Sequence, residues 1–134
     1  TFRGALMPSI ADAREAIKTQ VATLLRCHDY MPAQIAPPCV IVGLPTNYDV
    51  NDTQGDTATL TIPVMLYVPY ASNRAAEDQI ERFLASSGDD SVLALIEAAG
   101  EGYAVTAVRD FGTLDNTQGT PTALGCTIEV TVYA

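Results

Sequence analysis

The sequence predicts an α+β domain: a four-stranded, mostly antiparallel sheet made of two hairpins, covered on one face by an N-terminal helix and two central helices. Three observations carry this prediction. Apolar residues alternate strictly along 58–68 and again along 124–133, the period of a strand with one buried face. They recur every three or four positions along 9–28 and 72–86, the period of an amphipathic helix. The tripeptide Thr-Gln-Gly, flanked by Asn and Asp, occurs at 53–55 and again at 117–119, each time just before an alternating segment. Gly supplies φ > 0 there and Asn and Asp make local turn bonds, so the repeat reads as the turn of a hairpin used twice.

The elements follow in order. Residues 1–8 have no period and form an arm that Pro8 closes. Ser9 opens the first helix, with Asp12 at capping distance, and Ile10, Ala13, Ile17, Val21, Leu24 and His28 fall on one face; this predicts about five turns. Three prolines in 29–38 end it, and Cys39–Leu44 is the first strand, stopped by Pro45. A long loop at 45–57 leads into the second strand, where Ala58, Leu60, Ile62, Val64, Leu66 and Val68 alternate with Thr59, Thr61, Pro63, Met65 and Tyr67. Pro63 has no N–H to donate, which predicts a sheet edge or a bulge. Ser72 caps a second helix over 72–86 and Gly88 ends it; Ser91 caps a short third helix through Ala99, closed by Gly100 and Gly102. Tyr103–Phe111 is a third strand with less regular alternation. A second long loop at 112–122 precedes the last strand, in which Leu124, Cys126, Ile128, Val130 and Val132 alternate with Gly125, Thr127, Glu129, Thr131 and Tyr133. The two long loops are expected at the same end of the two hairpins.

Composition bounds the function. The 134 residues fit one domain with one core, spanning 1–134, and 48% of them are apolar. Seven basic against sixteen acidic residues give a net charge of −9, which opposes a grip on nucleic-acid phosphates. The acids are scattered rather than gathered in a run, as on solvated faces and turns. No segment is long and apolar enough to span a bilayer, and no basic-then-apolar leader opens the chain, so nothing marks it for secretion. The three cysteines, Cys27, Cys39 and Cys126, read as reduced thiols of a cytoplasmic compartment.

The sequence shows no reactive centre. Its one histidine, His28, lies at the apolar end of the first helix. No Gly-x-Ser-x-Gly elbow and no phosphate loop are present. Cys27-His28 with Cys39 matches no zinc spacing. Asp49, Asp52 and Asp56 faintly resemble a calcium loop but lack the Glu at its twelfth position. The expectation is therefore no enzyme, no cofactor and no metal. What remains is surface: Met65, Tyr67 and Tyr133 make the outward sheet face less polar than solvent requires, which fits either a face that mates with another subunit or an ordinary exposed Thr-rich antiparallel face.

At this point a family pattern emerges. PPCVIVGLP, then Tyr48-Asp49, a Gly-bearing turn, TLTIPVMLYVPYASNRAAEDQIERFL and SGDDSVLALIEAA resemble the tail terminator proteins of long-tailed, non-contractile bacteriophages, some of which are labelled minor tail or tail completion proteins. The resemblance covers about residues 9–134 and is best between Pro37 and Ala99. It is carried by the aliphatic run at 64–68, by Arg74-Ala75-Ala76 opening the next helix, and by Ser91-Val92 after the Gly-Asp turn. It implies a small α+β subunit of the virion tail, assembled in the host cytoplasm as a hexameric ring. That ring caps the tail tube, stops its polymerisation and offers a surface to the head–tail connector or neck protein. Six copies at −9 each carry a formal −54, part of it lining a channel through which DNA passes without adhering. Tyr48, Asp49, Asp52, Asp56, Asp115 and Asn116 are the candidates for contact with the major tail tube protein or the head. Phe2 and Leu6 of the arm, with Met65, Tyr67 and Tyr133, are the candidates for the contact between subunits. The alternatives are a neck or head-completion connector protein, of similar size and also ring-forming, and a small metal- or ligand-binding domain using the acidic loop 49–56.

Overall fold

Alternation along two long inner strands organises the molecule. The computed structural model describes residues 10–28, 30, 37–51, 57–70, 72–85, 87–100, 102–115, 119 and 121–133. Its elements are α1 (Ile10–Val21), β1 (Arg26–His28), β2 (Cys39–Val42), β3 (Asn47–Asn51), β4 (Thr57–Pro69), α2 (Asn73–Phe83), α3 (Val92–Glu97), β5 (Tyr103–Asp115) and β6 (Pro121–Tyr133). They form an α+β fold with one mixed sheet, ordered β1-β2-β4-β6-β5, in which β3 also pairs with β4. β1 runs parallel to β2 and every other pairing is antiparallel.

Leu60, Ile62, Val64, Leu66 and Val68 of β4 are fully buried. Val40 and Val42 of β2 and Cys126, Ile128, Val130 and Val132 of β6 join them in one core. The helices close that core with Ala13, Ile17 and Val21 of α1, Ala76, Ile80 and Phe83 of α2, and Val92 and Ile96 of α3. Burying the five aliphatic side chains of β4 contributes on the order of 10 kcal/mol gross, most of it offset by chain entropy. Ser72 caps α2 by accepting from the Ala75 N–H at 3.1 Å, and Ser91 caps α3 by accepting from the Ala94 N–H at 3.0 Å.

Several expectations are corrected. The first helix ends at Val21, not His28. Its apolar row is complete by then, the N–H groups of Leu24 and Leu25 bond back to the Val21 carbonyl, and the Thr23 hydroxyl bonds to the Gln20 carbonyl. The backbone of Arg26–His28 finds its partners in β2 instead, from Arg26 opposite Cys39 to His28 opposite Ile41, so the sheet has more than four strands.

The segment 45–57 is not one loop, since Asn47–Asn51 is a strand paired with Thr61–Thr57. β2 and β3 lie in line along the same side of β4, interrupted opposite Pro63. β4 is therefore internal, and Pro63 is not at an edge. Its carbonyl accepts from the Gly43 N–H at 2.8 Å, so its missing N–H falls on the interruption, where no ladder bond is lost.

The second loop is also shorter than expected, because β5 reaches Asp115 and β6 begins at Pro121. The irregular alternation of β5 comes from register shifts between Val105 and Ala107, Arg109 and Gly112, and Leu114 and Asp115. Asp110 sits at the middle shift with φ 60°.

The last correction concerns the hairpin ends. β4 and β6 are antiparallel from Thr59–Tyr133 to Pro69–Ala123. The turn before β4 therefore lies at one end of the sheet and the turn before β6 at the other. The thirteen residues of β4 separate the two ends by about 40 Å. At the first end, Gly102 has φ +86° and its carbonyl accepts from the Tyr133 N–H at 2.9 Å. A Cβ on Gly102 would stand 2.6 Å from the Tyr133 carbonyl oxygen, so this closure requires glycine.

Candidate interaction surface

The predicted contact residues divide between the two ends. Tyr48 stands opposite Leu60 and Asp49 opposite Thr59, at the end where β6 finishes. Asp115 stands opposite Pro121, at the end where β6 starts. Asp52, Asp56, Asn116, Phe2 and Leu6 lie outside the described residues, as do both Thr-Gln pairs of the repeat. Gly119, which closes the second copy of the repeat, has φ +79°, the backbone a turn glycine supplies.

The proposed mating residues are not one patch. Met65 and Tyr67 are adjacent outward positions of β4 and half-buried, whereas Tyr133 is exposed beside Thr59. Eight positions along β4 separate Thr59 from Tyr67, which is about 26 Å. Cys39 and Ile41 pair with Tyr67 and Met65, and both are buried. The Tyr67 ring lies over Gly125 of β6. Burial raises the Tyr67 hydroxyl above its ordinary pKa, and the neighbouring Cys39 and Cys126 add to the shift.

Beside Met65 the surface is more apolar than the sequence indicates. Leu44 is 69% exposed and Tyr30 is 62% exposed. With Ile41 and Met65 they border a hollow of about 360 Å³. Arg14 reaches its rim from α1, donating from Nε to the Gly43 carbonyl and from Nη2 to the Val42 carbonyl, both at 3.0 Å. These bonds fix the backbone where β2 gives way to β3. Leu44 could have been singled out as a large apolar residue between Gly43 and Pro45, where no ladder holds the chain. Tyr30 carries no such signal.

A second apolar feature lies on the helix side. Ile80, Leu84 and Ala85 of and after α2 face Phe111 and Leu124 across a groove of about 960 Å³. Glu77, Asp78 and Glu81 line its rim. Phe111 is 57% exposed. Its place between Asp110 at positive φ and Gly112, at the register shift of β5, explains why simple alternation did not find it.

No protein-family model matches the chain, and no curated protein is significantly similar to it. Among the described residues, no group of three or more His, Cys, Asp or Glu is placed to hold a metal ion, and no helix is long and apolar enough to cross a membrane. His28 lies in β1 with its ring 5.7 Å from that of Tyr30. Burial pushes the Cys126 thiol up to about 12, which keeps it protonated and unreactive. On the outward face Arg109 pairs with Asp110 at 2.6 Å and with Glu129 at 3.4 Å. Such exposed pairs contribute little stability.

Proposed function

We propose that this chain is a structural virion subunit that closes into a ring, hexameric by its resemblance to tail terminators. The ring caps a phage tail tube, stops its polymerisation and presents its other side to the head. One observation carries the reading: the two hairpin ends lie at opposite ends of a single long sheet. A joint between a tube and a head must touch a different partner on each side, and a rigid strand pair about 40 Å long holds two contact sites apart in that way. The end bearing Tyr48 and Asp49 and the end bearing Asp115 then serve different partners. The apolar positions around Met65, Leu44 and Tyr30 supply lateral contact between copies. The net charge of −9 per copy gives the ring an acidic channel past which DNA slides. In this reading the chain is not an enzyme and needs no cofactor.

Native mass spectrometry at micromolar concentration, with and without polymerised tail tubes, tests the reading. A closed ring, in solution or on tube ends, is expected. A chain that stays monomeric and also ignores the tubes would refute it, and a ring that binds only the head connector would reassign it to the neck.

A further inference from the structure

We propose that the groove between α2 and the β5–β6 hairpin receives residues 1–8, the segment that precedes α1, of a second copy of this chain. The proposal deepens the ring reading by naming the contact that links one subunit to the next.

The chemistry of the groove selects its occupant. Its floor is apolar, with Ile80 and Leu84 on one wall and Phe111 and Leu124 on the other. Its rim carries Glu77, Asp78 and Glu81, all exposed. Glu77 and Glu81 are four apart on α2, so their like charges repel along one helix face until a cation comes between them. The cation lining the groove, Arg82, is engaged elsewhere: it pairs with Asp90 at 3.5 Å and lies over the Phe83 ring at 5.5 Å. The groove thus fits a segment with several large apolar side chains, one cation and no acid. Residues 1–8, TFRGALMP, have that composition: Phe2, Leu6 and Met7 surround Arg3, and residues 1–11 hold no Asp or Glu.

Geometry assigns the segment to another copy. α1 packs on α3, which packs in turn on β5, and at the start of β5 the Tyr103 hydroxyl is raised first by burial and then by the Asp12 carboxylate of the first turn of α1. Tyr103 is level with Val132, whereas Leu124 in the groove is level with Thr113. Those levels are eight positions apart along β6, about 26 Å. Leu6 precedes Ile10 by four residues, a reach of at most about 14 Å. A subunit cannot bring its own Leu6 to its own groove, but a neighbour can supply one.

The test is a titration followed by fluorescence anisotropy. The peptide TFRGALMP, labelled after its last residue, is mixed with the full chain carrying Arg3→Glu, so that the chain's own arm competes weakly. Saturable binding is expected, weakened at least about tenfold by Glu77→Lys with Glu81→Lys, and similarly by Phe111→Ser. All three positions are exposed, so circular dichroism should report an intact fold. Absence of saturation up to about 1 mM chain, or binding indifferent to both groove variants, overturns the proposal. So does a groove that takes up an apolar dye but not the peptide, since its occupant is then something else. A photo-crosslinker at Leu6 in mixed heavy and light copies gives a second reading. Heavy–light links to Leu84 or Phe111 support the proposal, and links confined to one copy oppose it. Peptide binding without tube capping would leave this contact standing and remove the tail reading; capping without peptide binding would do the reverse.

Discussion

The ring of Tyr67 lies across Gly125, so that a Cβ built on Gly125 stands 2.7 Å from two of its carbon atoms. The Leu66 carbonyl oxygen is 3.3 Å from the same point, which leaves the added methyl little room to escape. Gly125→Ala is expected to destabilise the fold by about 1–3 kcal/mol, measured by chemical denaturation. In a Tyr67→Ala background the cost should shrink, because the two positions share the clash. An equal cost in both backgrounds would show that the ring is not the obstacle.

The two rows of β4 differ in consequence. Ile62 is fully buried and Thr61 is half-buried on the other face. Ile62→Ala should cost about 2–5 kcal/mol, and Thr61→Ala about 0.5 kcal/mol or less. Denaturation midpoints of the two variants decide it; similar losses would contradict the assigned register.

Ser91 has two roles where Ser72 has one. Both hydroxyls accept from a backbone N–H three residues on, but Ser91 is 1% exposed and also donates to the Ala85 carbonyl. Ser91→Ala should therefore cost about 1–2 kcal/mol, since it removes the cap and a second hydrogen bond from a buried serine at once. Ser72→Ala, at an exposed cap, should cost about 0.5–1 kcal/mol. Reversal of that order in thermal unfolding would count against the α2–α3 connection described above.

Alkaline solution should weaken the fold. Burial raises the Cys126 thiol from 9.0 to about 12 in the native state. The Tyr67 and Tyr103 hydroxyls are also raised, in both cases first by burial. Above pH 9 the unfolded chain loses the thiol proton that the native chain retains, so stability falls as pH rises from about 9 toward 12. Denaturation at a series of pH values should show this decline, flattened by Cys126→Ala. A thiol reagent at pH 8 should label half-buried Cys27 first and reach Cys39 and Cys126 only on unfolding.

Much of the fold was legible because local signals agreed. The inward row of β4, the inward row of β6 and both serine caps follow from period and side-chain chemistry at single positions. The misses share a different cause. Arg26–His28 continues a helical spacing but is claimed by β2, and Asn47–Asn51 reads as loop but is held by β4. In each case a non-local partner decides, and three to five residues are too few to show a period. The positions of the hairpin ends depend on β4 pairing with β6 rather than on either hairpin alone. The apolar surface was half legible: Met65 and Tyr67 stand out by alternation, while Leu44 and Phe111 owe their exposure to breaks in the ladder.

The central claim is that the two hairpin ends face different partners across a ring. Negative-stain electron microscopy of capped tail tubes, with a label inserted within 52–56 in one preparation and within 116–120 in another, tests it most directly. The account predicts a cap at tube ends, with one label facing the tube and the other facing away. Tubes left bare, or both labels on the same side of the cap, would contradict it.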